Sequence, residues 1–208
     1  DNKASFFGKL GFDKELNKDL RFRLSGSWYI NSGTTNGNHL YAGDRTGSRY
    51  YEVLHTIADK DGNIKGTDFD GRFDVGFDKM VALQLNPFIK YKGLEFFGIY
   101  ELSNGSNVVQ QRTEGGFTQI AAELLYRFGK EEKFYLGARY NTVSGKAFEE
   151  DTNELKISRI NAGAGWFISR NILSKIEYVN QEYKGDAWQG RFRGAKFSGV
   201  NIEAVISF

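Results

Sequence analysis

Apolar residues recur at every second position over most of this 208-residue chain, in unusually long runs. Ile120, Ala122, Leu124, Tyr126 and Phe128 fall on one side of a pleat; Gln119, Glu123 and Arg127 fall on the other. Phe134, Leu136, Ala138 and Tyr140 alternate with Gly137, Arg139 and Asn141. Ile160, Ala162, Ala164, Trp166 and Ile168 alternate with Arg159, Asn161, Gly163 and Gly165. Val200, Ile202, Ala204, Ile206 and Phe208 oppose Asn201, Glu203 and Ser207. A period of two marks strands with one apolar and one polar face, and these runs are roughly twice the usual strand length of about 5–6 residues. The pattern predicts nine strands, near 5–13, 20–31, 79–91, 94–103, 117–128, 133–145, 155–168, 172–183 and 196–208.

The connections alternate too. Short polar turns at 14–19, 91–94, 129–133 and 169–171 are interleaved with longer polar segments at 32–79, 103–116, 146–154 and 184–195. That rhythm predicts an all-β fold, a transmembrane antiparallel up-and-down barrel of the outer-membrane type, with tight periplasmic turns and longer extracellular loops. Strands of about 11 residues at about 3.3 Å each, tilted by about 40°, cross about 27 Å of hydrocarbon. Residues 1–208 then form a single barrel domain or its C-terminal part, with 32–79 as a long extracellular loop region.

Alternation alone also fits a soluble sandwich. Three further features favour the membrane. Four hairpins with long strands and one-sided loops suit a meander that closes on itself. Aromatic residues mark strand ends near the turns (Phe12, Tyr91, Phe128, Phe134, Phe167), as an interfacial girdle requires. The chain ends in Phe208 on the apolar row, similar to the signal read by the outer-membrane assembly machinery. The odd strand count has a consequence, because bacterial single-chain barrels have even counts. Counting back from a final strand that ends in the periplasm, the first strand starts outside the cell. The favoured expectation is therefore the C-terminal portion of a larger barrel. The alternative is a tenth strand within 45–57 (RTGSRYYEVLHTI), which would make the Gly/Asn/Thr-rich 32–44 stretch a periplasmic turn. The chain opens Asp1-Asn2-Lys3 with no visible signal peptide, which fits a removed signal or a start within a longer protein.

Composition narrows the picture. With 25 Gly, 18 Phe, 11 Tyr and 3 Trp the chain is aromatic-rich yet hydrophilic on average, as expected where lumen residues dilute lipid-facing ones one for one. The absence of Cys excludes a disulfide framework, a thiolate metal site and a thiol nucleophile. A net charge of +2 gives no basis for binding nucleic acid. No apolar run reaches the about 18 residues of a transmembrane helix.

Candidate chemistry lies mostly on the polar rows. Lys9, Arg21, Arg23, Lys90, Arg127, Arg139, Arg159 and Lys175 are set against Asp13, Glu95, Glu101, Glu123, Glu177 and Glu203. Arg127, Arg139, Arg159, Lys175, Glu123, Glu177 and Glu203 are the expected lumen-lining group. A register of 128 opposite 134 places Glu123 across from Arg139, and 140 opposite 160 places Arg139 beside Asn161 and Arg159 beside Asn141. Rings of Arg or Lys favour anions. Elsewhere the signals are weak. His39 and His55 have no recognisable nucleophile beside them, so no enzyme is expected. Asp59, Asp61, Asp68 and Asp70 open like a calcium loop, but the sixth and twelfth positions hold Ile64 and Asp70 instead of Gly and Glu. An irregular Ca²⁺ site there stands as the alternative to a solvated acidic turn, and no other cofactor is expected.

The runs 86–101 (NPFIKYKGLEFFGIYE), 123–128 (ELLYRF), 135–141 (YLGARYN), 166–183 (WFISRNILSKIEYVNQEY), 199–208 (GVNIEAVISF) and 43–51 (GDRTGSRYY) resemble a porin-like outer-membrane family of Bacteroidota, and more distantly phosphate-selective porins. The resemblance implies a longer chain and a place in the bacterial outer membrane, among lipid bilayer and lipopolysaccharide. It transfers no catalytic residues. The expected function is passive diffusion of small solutes with a modest preference for anions. The alternatives are a non-conducting accessory barrel that binds another outer-membrane protein, and a rim enzyme dependent on His39 or His55.

Overall fold

The computed structural model describes residues 3–33, 73, 77–107, 112–146, 153–188 and 192–208. The possible strand in 45–57, the acidic loop with Asp59, Asp61, Asp68 and Asp70, and both histidines lie outside the described residues.

Nine antiparallel strands are paired in sequence order: β1 (Ser5–Glu15), β2 (Leu20–Asn31), β3 (Lys79–Tyr91), β4 (Leu94–Asn107), β5 (Arg112–Phe128), β6 (Phe134–Lys146), β7 (Leu155–Ser169), β8 (Ile172–Lys184) and β9 (Lys196–Ile206). The expected strands are all present, and all the short turns lie at one end of the sheet. Local chemistry builds those turns. Between β1 and β2 the Asn17 side-chain oxygen accepts from the backbone N–H groups of Asp19 and Leu20, at 2.9 and 3.0 Å, closing the reversal as Asx residues do. Between β5 and β6 Gly129 enters a short 3₁₀ turn (Lys130–Glu132) at φ 83°, a conformation open to glycine at little cost.

Strand ends differ from the apolar pattern. The β4–β5 ladder continues through Asn104↔Gly116 and Gly105↔Gly115 to Ser106↔Glu114. Backbone hydrogen bonds need no alternation of side chains, so pairing outlasts it. β9 stops at Ile206, so Phe208 lies just past the strand and is fully exposed. The neighbouring Ser207 is tied to the β7–β8 turn: its N–H donates to the Asn171 carbonyl at 2.9 Å, and Asn171 Nδ2 donates to the Ser207 carbonyl at 3.0 Å.

The described residues form an open sheet, not the closed barrel expected. β1 pairs only with β2 and β9 only with β8. In a nine-strand antiparallel meander the first and last strands run in the same direction, so no antiparallel seam can join them directly.

The two faces are sharply unequal. On the apolar face Leu124, Leu136, Ile160 and Ile176 are each 50–55% exposed, with Leu85, Tyr100, Tyr140 and Val200 on the same side. On the polar face Gln119, Asn141, Arg159 and Gln181 are at most 8% exposed. A soluble sandwich has the opposite arrangement. Polar-face residues from five consecutive strands, β5 to β9, line one cavity of about 490 Å³, which requires the sheet to curve toward that face.

At the long-loop end the polar row turns apolar. Tyr29, Met80, Ala82, Phe117, Val143, Ile157 and Tyr183 pack with Phe73 and Phe77 into a buried cluster, flanked by Trp188 and Phe192. The Phe117 ring stands edge-on to Phe73 and stacks on Phe77, with centroids 4.5 and 5.6 Å apart.

The register is directly testable because the chain has no native cysteine. Ala138 and Ala162 are Cα partners, so Ala138→Cys with Ala162→Cys is expected to cross-link under mild oxidation. Ala138→Cys with Asn161→Cys puts the thiols on opposite faces and is expected to stay reduced. Gel mobility with and without reductant distinguishes the two.

Candidate functional site

The eight strand pairings bring the polar-face residues into rows running across the sheet. Nearest the turns, Arg127, Tyr135, Gly165, Lys175 and Glu203 are successive partners. The next row is Leu125, Gly137, Gly163, Glu177 and Asn201. Above it come Glu123, Arg139, Asn161 and Val179, then Ala121, Asn141, Arg159 and Gln181. Both registers read from the sequence are found: 128 pairs with 134 and 140 with 160.

Six of the seven residues expected to share one wall line the cavity: Glu123, Arg139, Arg159, Lys175, Glu177 and Glu203. Arg127 stands apart, toward the turns. Its Nε donates to Glu95 Oε1 at 3.0 Å, and its guanidinium lies 6.0 and 5.9 Å from the ring centroids of Tyr135 and Phe167. Glu95 also meets Lys90 at 3.3 Å. Arg127 is a brace between strands.

The cavity residues are held differently. Lys175 and Glu203 pair at 3.0 Å. Asn161 Nδ2 donates to Glu177 Oε1 at 2.7 Å, and Arg159 donates to Gln181 Oε1 at 3.2 Å. Gln181 in turn donates to the Tyr183 hydroxyl at 2.9 Å, which links the wall to the apolar cluster. Arg139 meets Glu123 only at 3.7 Å, beyond hydrogen-bonding distance. The wall therefore carries cations and carboxylates in equal number, Arg139, Arg159 and Lys175 against Glu123, Glu177 and Glu203. Glu177 thus stands with Glu123 as a second carboxylate beside Arg139 and Arg159.

Two features escaped the sequence reading. The glycine row beneath the charges is one; Gly137 and Gly163 were visible only as weak members of the polar row. The loop-end cluster is the other. Its signal was there in Val143 and Ile157, which break the polar row at strand ends, but Phe73 and Phe77 join it from a segment with no period of its own. Among the described residues no group of His, Asp and Glu is placed to hold a metal ion.

No protein-family model matches this chain, and a search of curated proteins finds no match.

The brace and the looser pair are expected to separate in double-mutant cycles. Arg127→Met with Glu95→Gln should show a coupling of about 0.5–1 kcal/mol, as for well-placed cross-strand charges. Arg139→Met with Glu123→Gln should show a coupling near zero, as for partly exposed pairs without hydrogen bonds. Urea unfolding in detergent or lipid measures both.

Proposed function

We propose that the sheet is part of the wall of an outer-membrane barrel, with its apolar face toward lipid and its polar face toward a wet lumen. The protein then serves passive diffusion of small polar solutes. The inverted placement of the two faces carries this reading. Soluble monomers rarely expose apolar patches beyond about a few hundred Å², whereas here every strand exposes large side chains on the apolar face, from Leu10 on β1 through Leu124 on β5 to Ile202 on β9. The rings of Tyr126, Phe128, Phe134 and Trp166 add support. They follow one another on the apolar face near the short turns, nearly parallel and 5.9–6.0 Å apart, at the level where an interfacial aromatic girdle belongs.

The free edges of β1 and β9 fit the same reading. A sheet in lipid must close, since unpaired backbone groups in hydrocarbon cost several kcal/mol each. An odd number of further strands between β9 and β1 would give antiparallel seams and an even total, so in this reading the sheet is part of a larger barrel. Contacts with bilayer lipid, lipopolysaccharide and the outer-membrane assembly machinery follow from that location.

The apolar cluster at the long-loop end favours a second reading. Side chains such as Phe77, Val143 and Ile157 fill the polar-face side there, which suits a non-conducting barrel that binds another outer-membrane protein.

Conductance of the purified protein in planar bilayers decides between the two. Discrete channel steps are expected for the diffusion reading; silent insertion favours the accessory one. With cations and carboxylates balanced on this wall, the reversal potential under a salt gradient is expected near zero. Changing Arg139→Glu and Arg159→Glu together should move it toward cation preference. An unchanged potential would mean that this wall does not face the conducting path.

A further inference from the structure

The polar face has a hollow where side chains are missing. Gly137 and Gly163 are direct partners and together form a floor between Leu125 and Glu177. Gly163 admits no side chain, because a Cβ there would lie 2.7 Å from the Ile176 carbonyl oxygen. Gly165, in the next row, is covered by the Tyr135 ring, which a Cβ would strike. Gly137 is different: a Cβ there would meet the Leu124 carbonyl oxygen and the Leu125 side chain only at ordinary van der Waals distance, 3.7–3.9 Å, and the glycine lines the cavity. Around this floor stand Arg139 and Asn161 on the loop side, Lys175 on the turn side, and Glu177 in the same row.

The charges around the hollow are mixed and unequally occupied. Lys175 and Glu203 pair with each other at 3.0 Å. Among the described residues the Arg139 guanidinium makes no hydrogen bond, and its one ionic neighbour, Glu123, is 3.7 Å away. Arg139 lines the cavity, and its guanidinium is a planar fork of five N–H donors, a geometry suited to a carboxylate. Glu177 accepts one hydrogen bond from Asn161 on Oε1, and a carboxylate has about four acceptor positions.

We propose that this hollow is a subsite for a small zwitterionic solute, one that carries a carboxylate and an ammonium group as an amino acid or short peptide does. The proposal rests on the polar face being open to solutes, as the diffusion reading has it. Arg139 takes the carboxylate in its fork, and Glu177 accepts from the ammonium. A lone anion in the hollow faces Glu123, Glu177 and Glu203; a lone cation faces Arg139, Arg159 and Lys175. Only a solute with both charges gains from both sets. A cavity of about 490 Å³ has room for a dipeptide, within the about 300–1,000 Å³ usual for small-molecule sites.

Calorimetry on the purified protein in detergent micelles tests this, with glycylglycine, acetate, methylammonium and sucrose as probes. Glycylglycine is expected to bind at least about tenfold more tightly than acetate or methylammonium, the step expected for an added charge-assisted hydrogen bond. Arg139→Gln is expected to weaken glycylglycine binding at least about tenfold. Gly137→Leu leaves every charge in place and fills the floor, so it should abolish the heat. It also decides the matter should Arg139→Gln fail to fold. The proposal is overturned by no heat with glycylglycine, by affinity unchanged in both variants, or by sucrose binding as tightly, which would mark a polyol site. Channel recordings on the same preparation separate the two readings. Binding without conductance keeps the subsite and removes diffusion; conductance without binding removes the subsite and keeps diffusion.

Discussion

Register is the constraint on which everything else in this sheet depends. Side chains alternate with a period of two, so a slip of one residue at any pairing would exchange the apolar and polar faces of one strand against the next. Four short turns and eight sequential pairings hold the strands in step. As a result the apolar rows coincide across nine strands, and on the other side the charges of β5–β9 and the glycines of β6 and β7 fall into rows. Neither face exists in a single strand or hairpin.

Curvature then gives the two faces different roles. The sheet curves around its polar side, where Gln181, Asn141 and Arg159 are buried, and leaves its apolar side spread outward. Burial on the polar side is sustained by hydrogen bonds in place of oil-like packing: Gln119 to Asn141 at 2.7 Å, Gln84 to Glu101 at 2.8 Å, Asn161 to Glu177 at 2.7 Å. Arg127 and Arg139 show the contrast within one strand pair. Arg127 is clamped between a carboxylate and two rings, whereas Arg139 borders a glycine floor and keeps its fork toward the cavity.

Much of this was legible in the sequence. Strand number and place, the alternating lengths of the connections, and the pairing of Glu123 with Arg139 follow from periodicity and one turn. Pairing beyond 103 was not legible, because the ladder runs on through Asn104, Gly105 and Ser106, which carry no apolar signal. The openness of the sheet was foreshadowed by the odd count of strands, whose first and last members run parallel. The loop-end cluster depends on residues brought in from connections, where no period operates. The cavity was hidden for a different reason: it is made by the absence of side chains at Gly137 and Gly163, and only the register shows that these absences adjoin.

The inverted placement of the two faces is tested most directly by the three tryptophans. Trp28 and Trp166 lie on the apolar face, 38% and 48% exposed, while Trp188 packs against Tyr183 and donates its indole N–H to the Lys156 carbonyl at 2.9 Å. Single-tryptophan variants reconstituted in vesicles of brominated phosphatidylcholine report contact with acyl chains through fluorescence quenching. Strong quenching of Trp28 and Trp166, with Trp188 little affected, is the result predicted. Trp28 and Trp166 unquenched by bromolipid but readily quenched by aqueous acrylamide would place the apolar face in water and contradict the account.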